Sequence, residues 1–438
     1  MGTGLEESDL VRSRIRGAKA VFILPGTVIC TISNRRQNPN VQSDINCADA
    51  RQEDEQNTLL TWTIEDHDET VPIYMYNLLP FTESYVSNIA TTACADDLKQ
   101  VILAYTCLYK GSATFLLNLL IHYKPAERYN TAFEAQYGDG LGNEIYSERI
   151  NPIFVGHSFA SLSWYLYREF QVILFAVNVF RESTGDYVLV LNPGNKYRLK
   201  FNDIGVYISQ SRDDIHTITR LDVESYLASE RLHGKTSNPS LGRHSTSSLE
   251  DFFAGIDDSV QIGKPQGAFD GEVPLCHLLK TPTTIDDAVR QDFTELTKHV
   301  LVLTDTFDWF KFVCTMRSAQ ITRHDFRTIV FLASRAPNES EFQYFRIFPK
   351  VYFMKGDYRS KRDLTRAGIY GADKVVVVPG VGFARDDDMV DSKAIMTSAL
   401  IHEMFAEMGK QKYIVVSLEK RFNIKFVRVQ EIHFSCKY

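Results

Sequence analysis

The chain has 438 residues, 44% apolar and 24% charged, with a net charge of −7. This is the composition of a globular protein long enough for two to four domains; its acidity offers no polyanion-binding surface, which argues against nucleic acid as a partner. Seven scattered cysteines with no C-x-x-C pair fit a reducing compartment, and no secretory signal is present.

In chain order, Ser8–Gly26 reads as a short helix, a Gly-Ala turn, the apolar strand "AVFIL" and a Pro-Gly exit. An acidic loop entering a helix and the strand "VPIYMYNLL" follow. Leu98 to Tyr123 is long enough for a membrane span, but Lys110, Gly111 and Ser112 interrupt it. Two amphipathic helices around a turn at Gly111 fit better. Next, "YGDGLG" carries Gly138, Gly140 and Gly142. A phosphate cradle needs a buried strand before it and a helix after it. "RYNTAFEAQ" is no buried strand and Asn143 stands where a third glycine would fall, so the run is read as a turn. From Asn151 a strand, a helix and a strand follow, then further strands around Asn192-Pro193-Gly194-Asn195. Beyond a Ser/Gly/Pro-rich stretch, "HVLVL", "TIVFLA", "KVYFM", "KVVVV" and "KYIVVSL" alternate with helices.

An internal repeat organises the chain. From Asp9 to Gly26, nine of eighteen positions are identical to Asp363–Gly380, 354 residues later and without a gap. Such spacing is a duplicated domain, not a solenoid. Fully apolar strands alternating with helices give an α/β class with parallel, doubly wound Rossmann-like sheets in tandem. The expected boundaries are a back half of a first sheet (1–95), a helix-turn-helix interface (96–125) and a small α+β module (126–228). A flexible linker (229–272) and a second Rossmann-like domain (273–438) complete the plan, which reads as truncated at both ends.

Few residues carry visible chemistry. The turn after "HVLVL" reads "TDTFDWFKF" without a glycine, so no close approach to a pyrophosphate and no NAD are expected. "HEMFAE" lacks the second histidine of a zinc-protease helix, and no P-loop or G-x-S-x-G appears. Cys276-His277 is at most half a zinc site. The acidic loops stand out: Asp49, Glu53, Asp54 and Glu55 after "AVFIL", and Asp386, Asp387, Asp388 and Asp391 after "KVVVV". Both lie past the carboxyl ends of strands, where open α/β sheets place ligands. Helix capping on a solvated face and cation binding both remain open. Asp49 and Asp54, five apart, can reach one ion; calcium, needing six to eight oxygens, would require carbonyls, water or a residue such as Asp203 besides. A divalent ion gains more there than sodium. The helix pair carries more apolar surface than a partial sheet covers, which predicts an interface at Leu103, Leu116 and Leu120.

The order of several motifs resembles one family. "GNEIY", "FVGHSF", "LNPGN", "PLCHLL", "FPKVYFMKGD", "GADKVVVV" and "DDMVDSKAI" are similar to the tandem RCK (regulator of potassium conductance) region of Slo-type potassium channels, most of all the sodium-activated, Slack-like branch. "CADARQED" is instead similar to the calcium-activated branch, where two aspartates at this spacing help bind calcium. The resemblance implies a non-enzymatic, cytosolic gating ring of a plasma-membrane channel. It would be a homotetramer joined to the transmembrane pore of its own full-length chain, with Ca2+ or Na+ as regulatory ligand. The helix pair would join neighbouring RCK domains. Ser334 and Glu339 stand where the Slack-like branch has its sodium-site Asp and His; Phe201, with Asp203 nearby, stands at the calcium-branch glutamate. The alternatives are a Trk-type regulatory subunit of a potassium transporter and an NAD-dependent oxidoreductase.

Overall fold

A computed structural model describes residues 5–25, 47–121, 131–181, 187–232, 259–265, 274–321, 326–378, 391–409, 412–418, 421–427 and 432–436. The contacts divide these into two units, 1–113 with 256–438, and 114–255.

The first unit holds two parallel sheets. Helix α1 (Glu7–Arg12) precedes strand β1 (Val21–Ile23); helix α2 (Cys47–His67) leads to β2 (Ile73–Asn77), and β3 (Ala90–Cys94) follows. The strands pair in the order β1-β2-β3, with Ile23 beside Met75 and Ile73 beside Ala90. Leu10, Ile23, Ile64, Ile73, Met75 and Val86 form one buried cluster.

Two helices come next, α3 (Ala95–Leu108) and α4 (Ser112–Leu120). Gly111 between them has φ +90°, a left-handed conformation that favours glycine. No helix among the described residues is long and apolar enough to cross a membrane.

The second unit contains α5 (Ala132–Leu141) and an antiparallel sheet of β4 (Glu144–Arg149), β5 (Ile173–Phe180), β6 (Tyr187–Leu191) and β7 (Ile204–Ser209), ordered β4-β7-β5-β6. Helix α6 (Phe159–Phe170) packs Leu162, Tyr165 and Leu166 against Leu174, Val177 and Tyr207. Helices α7 (Arg212–Thr219) and α8 (Val223–Leu232) follow.

Three sequence expectations change here. The glycine run is helical: a Thr131–Glu134 capping box starts α5, which carries through Gly138 and Gly140 and ends with Gly142 as its C-cap. The strand expected at Asn151 is a 3-10 turn, Pro152–Phe154, because Pro152 follows a capping Asn151; the strand lies earlier, at β4. The supposed linker 229–272 contains β8 (Val260–Gly263), which pairs antiparallel with β9 (Cys276–Leu279); residues 233–258 and 266–273 lie outside the described ones.

Back in the first unit, the second sheet is built from β10 (Val300–Thr304), β11 (Ile329–Ala333), β12 (Val351–Lys355), β13 (Lys374–Val378), β14 (Tyr413–Leu418) and β15 (Ile432–Cys436). All pair in parallel in the order β12-β11-β10-β13-β14-β15. Strand order reverses between β10 and β13, the switch point of a doubly wound sheet. The sixth strand is Ile432–Cys436, whereas "RFNIKF" forms a 3-10 segment. Helices α9 (Phe310–Met316), α10 (Lys361–Arg366) and α11 (Ser392–Ala406) cross between strands.

Alternation along the strands divides the core. Val300, Val302, Ile329, Phe331, Phe353 and Val376 face one cluster; Leu301, Leu303, Val330, Leu332, Val375 and Val377 face the other. Helix α11 covers the second face with Ala394, Ile401, Met404 and Phe405. The first face is shared by α9 and by α3, whose Leu103, Ala104 and Cys107 belong to the same cluster. The helix that follows the first sheet thus supplies core to the second. Fully burying one leucine contributes about 1.5–3 kcal/mol.

Candidate functional site

Asp49 and Asp54 both lie within α2, not in a loop ahead of it. Asp54 is the buried one. One carboxylate oxygen accepts the Leu78 N–H at 2.9 Å and the other the Leu79 N–H at 2.8 Å, at the exit of β2. Glu55 is exposed and pairs with Arg51 at 3.3 Å. Burial pushes the Asp54 carboxyl above its ordinary range, against the two backbone N–H groups that hold it down. Other buried polar groups flank it. Asn57, three residues along α2, leaves its amide nitrogen without a protein partner. Asn77, directly before Leu78 and fully buried, leaves both amide atoms so, and Thr82 its hydroxyl.

The second repeat has a counterpart. Asp391, buried at the N-cap of α11, accepts a hydrogen bond from the Asn423 amide at 2.8 Å, in the segment after β14. In each half, an aspartate on the helix following the repeat's strand is tied to the exit of the next strand. Such a carboxylate fixes strand and crossover helix together. Asp387 and Asp388 lie outside the described residues.

Asp203 belongs to the second unit. One of its oxygens accepts the Tyr197 hydroxyl at 2.7 Å and the Lys200 N–H at 2.8 Å; the other, buried, has no partner. Asp54 and Asp203 are thus each held by local bonds in separate units. Among the described residues, no group of three or more His, Cys, Asp or Glu is placed to hold a metal ion. Cys276 lies fully buried, its thiol against the Pro274 and Cys314 carbonyls at 3.3 and 3.4 Å, and His277 contacts the Ile321 carbonyl at 3.1 Å.

The turn after β10 is closed from within. The Trp309 indole N–H reaches the Thr304 hydroxyl and the Thr306 carbonyl, both at 3.1 Å, and the Thr306 N–H bonds to the Thr304 hydroxyl. A pyrophosphate finds no free backbone amide at Thr306.

The expected interface residues separate. Leu103 is 0% exposed within the second sheet's core, so its partner lies in its own chain. Leu116 is half-buried, while Leu120 is 73% exposed on α4 beside Phe115 at 60%. Sequence reasoning missed Gln100, Asp97 and Lys311. The Gln100 amide donates to the Asp308 carbonyl at 2.7 Å and accepts the Phe312 N–H at 3.2 Å; Lys311 pairs with Asp97 at 3.0 Å. Only the polar positions on an otherwise apolar helix hinted at them.

Comparison with known proteins agrees with this architecture. A family model described as calcium-activated BK potassium channel alpha subunit matches residues 90–177, and one described as calcium-activated potassium channel slowpoke-like RCK domain matches 295–426. Potassium channel subfamily T member 1 of Gallus gallus is 23% identical over 98% of this chain, and its Homo sapiens counterpart 22% over 98%. The chain is similar to the RCK region of Slo-type potassium channels. It spans 41% of the length of the Gallus gallus relative and 40% of the Homo sapiens one. In fold, the chain is similar to the human SLO3 gating ring, with TM-score 0.67 and 19% identity, covering 97% of this chain and 66% of that one.

Proposed function

We propose that this chain is the cytosolic, cation-sensing gating region of a potassium channel. It acts as a homotetramer on the transmembrane pore of the same full-length chain, and performs no catalysis. The observation that carries this reading is tandem RCK sheets tied together by α3, whose Leu103, Ala104 and Cys107 fill the second sheet's core. A shape change in the first sheet then pulls directly on the second.

We propose Asp54 as the centre of the sensing site. The Asp54 carboxylate, the Asn77 amide oxygen and the Thr82 hydroxyl are oxygen donors of the low-charge kind that calcium accepts together with carbonyls and water. With one formal charge the affinity would be micromolar or weaker, about the range of sensor sites. Asp54 also fixes the exit of β2, so ligation there alters the helix–strand bond, and a cation that binds one arrangement more tightly shifts the equilibrium. Asp49, Asp203, Asp387, Asp388 and Asp391 are further candidates. Patch recordings of the full-length channel across a calcium series test the site. Asp54→Ala is expected to move the activation curve to higher calcium; an unchanged curve would leave Asp54 as a structural pin.

A further inference from the structure

We infer that the amino-terminal rim of the second sheet is a docking surface for a short acidic peptide segment of a partner protein. This inference is independent of the gating role and of the Asp54 site. A cationic residue introduces each of five neighbouring strands: Lys350 directly before β12, Arg327 two residues before β11, Lys298 two before β10, Lys374 at the start of β13 and Lys412 directly before β14. At about 4.8 Å per strand, the row spans roughly 20 Å. Lys298 and Lys350 hold their places at φ 55° and 56°, in the left-handed region where glycine or asparagine is easier.

The middle of the row is a cluster. Lys374 and Lys110, the latter just past α3, both lie over the Tyr413 ring, at 5.5 and 5.6 Å. The Lys374 ammonium also bonds to the Cys107 carbonyl. Burial above all lowers its pKa, and the Arg327 and Lys110 charges add to that against Cys107 and Asp373. Arg327 meets Asp373 at 3.9 Å, the outer limit of an ion pair, with both side chains 41% exposed. Lys110 is exposed and forms no ion pair among the described residues. Three cations against the Asp373 carboxylate leave the cluster positive, and an incoming anion relieves their mutual repulsion.

The rim also decides what kind of anion it suits. The chain carries a net charge of −7, so nucleic acid or an anionic membrane would press most of its charge against acidic surface. A short acidic segment meets the rim alone. Exposed tyrosines stand among the cations: Tyr109, 59% exposed, stacks on Tyr105 next to Lys110, and Tyr370, 46% exposed, has its carbonyl 3.5 Å from the Lys412 ammonium. Tyrosine and arginine together mark protein-binding surfaces. An extended segment sets every second side chain on one face, about 7 Å apart, so its carboxylates can follow the row.

Fluorescence anisotropy of the full 438-residue chain with a fluorescein-labelled peptide of alternating glutamate and serine, at low ionic strength, tests this. Saturable binding is expected, weakening about fivefold with Lys110→Gln and by a similar factor with Arg327→Gln, and weakening as salt rises, while Lys355→Gln at the opposite end of β12 leaves it unchanged. Lys110 and Arg327 reach solvent, and thermal melts matching wild type will show that both variants fold. Absence of saturable binding, unchanged affinity in both variants, equal affinity for the matching glutamine–serine peptide, or tighter binding of single-stranded oligothymidylate or of phosphatidylserine vesicles would each overturn the proposal.

Discussion

The carboxamide of Gln100 accepts the backbone N–H of Phe312, 212 residues away in the chain, at 3.2 Å. With the Asp97–Lys311 pair, this seats α3 against α9, and burial of Leu103 completes the contact. A polar grip at the helix start fixes register, while the apolar face supplies the energy. Leu103→Ala is therefore expected to destabilise the fold by about 2–5 kcal/mol. Denaturant unfolding monitored by Trp309 fluorescence checks it, since Trp309 packs in the same cluster; a loss below about 1 kcal/mol contradicts the packing argument.

His299, fully buried at the entry of β10, sits with its ring nitrogen 3.3 Å from the Ala367 carbonyl. Burial above all, with Lys412 nearby, pushes its pKa down from 6.5 to about 4, partly opposed by the Ala367 bond. Between those values the unfolded chain binds a proton that the folded one does not, so stability is fully present above 6.5 and falls as pH drops toward 4. His299→Asn is expected to flatten that part of the stability profile. Urea midpoints at pH 7 and pH 5 measure it, and an unaltered slope would remove His299 as a cause.

The closed turn after β10 predicts no dinucleotide binding. Titration with NAD is expected to give no saturable heat; a micromolar dissociation constant would show that the Trp309 side chain yields to the ligand.

The exposed face of α4 predicts association. Phe115 and Leu120 stand out on a helix whose neighbour α3 is already used within the chain. Replacing Leu116 and Leu120 with Asp should lower the oligomer mass in light scattering without shifting the melt. A wild-type chain that stays monomeric would end this assignment.

Much of the second sheet was legible because a parallel strand buried on both faces must be apolar along its length, and residues 300–303 and Ile329–Ala333 are. The repeat from Asp9 to Gly26 carried the first sheet by its likeness to the second, although there one face stays open, with Phe22 and Tyr74 exposed. The glycine run misled because a capping box at Thr131 outweighs the low helix propensity of Gly138 and Gly140. Strand β8 was hidden by its surroundings: four residues between Ser/Gly-rich segments give too little periodicity. At the candidate site, the sequence showed Asp54 but not Asn57, Asn77 or Thr82. Asparagine and threonine carry no charge pattern, and what singles them out is burial without a protein partner.

The sharing of α3 governs how this protein can be dissected. Cutting between the two repeats follows the sequence, but a fragment beginning at residue 273 would lose the helix that covers Phe312, Val313 and their neighbours. Its solvent-facing patch would be apolar and continuous with a sheet, a surface prone to aggregation. A soluble second half therefore needs residues 95–108 supplied with it, either fused ahead of β8 or added as a separate peptide.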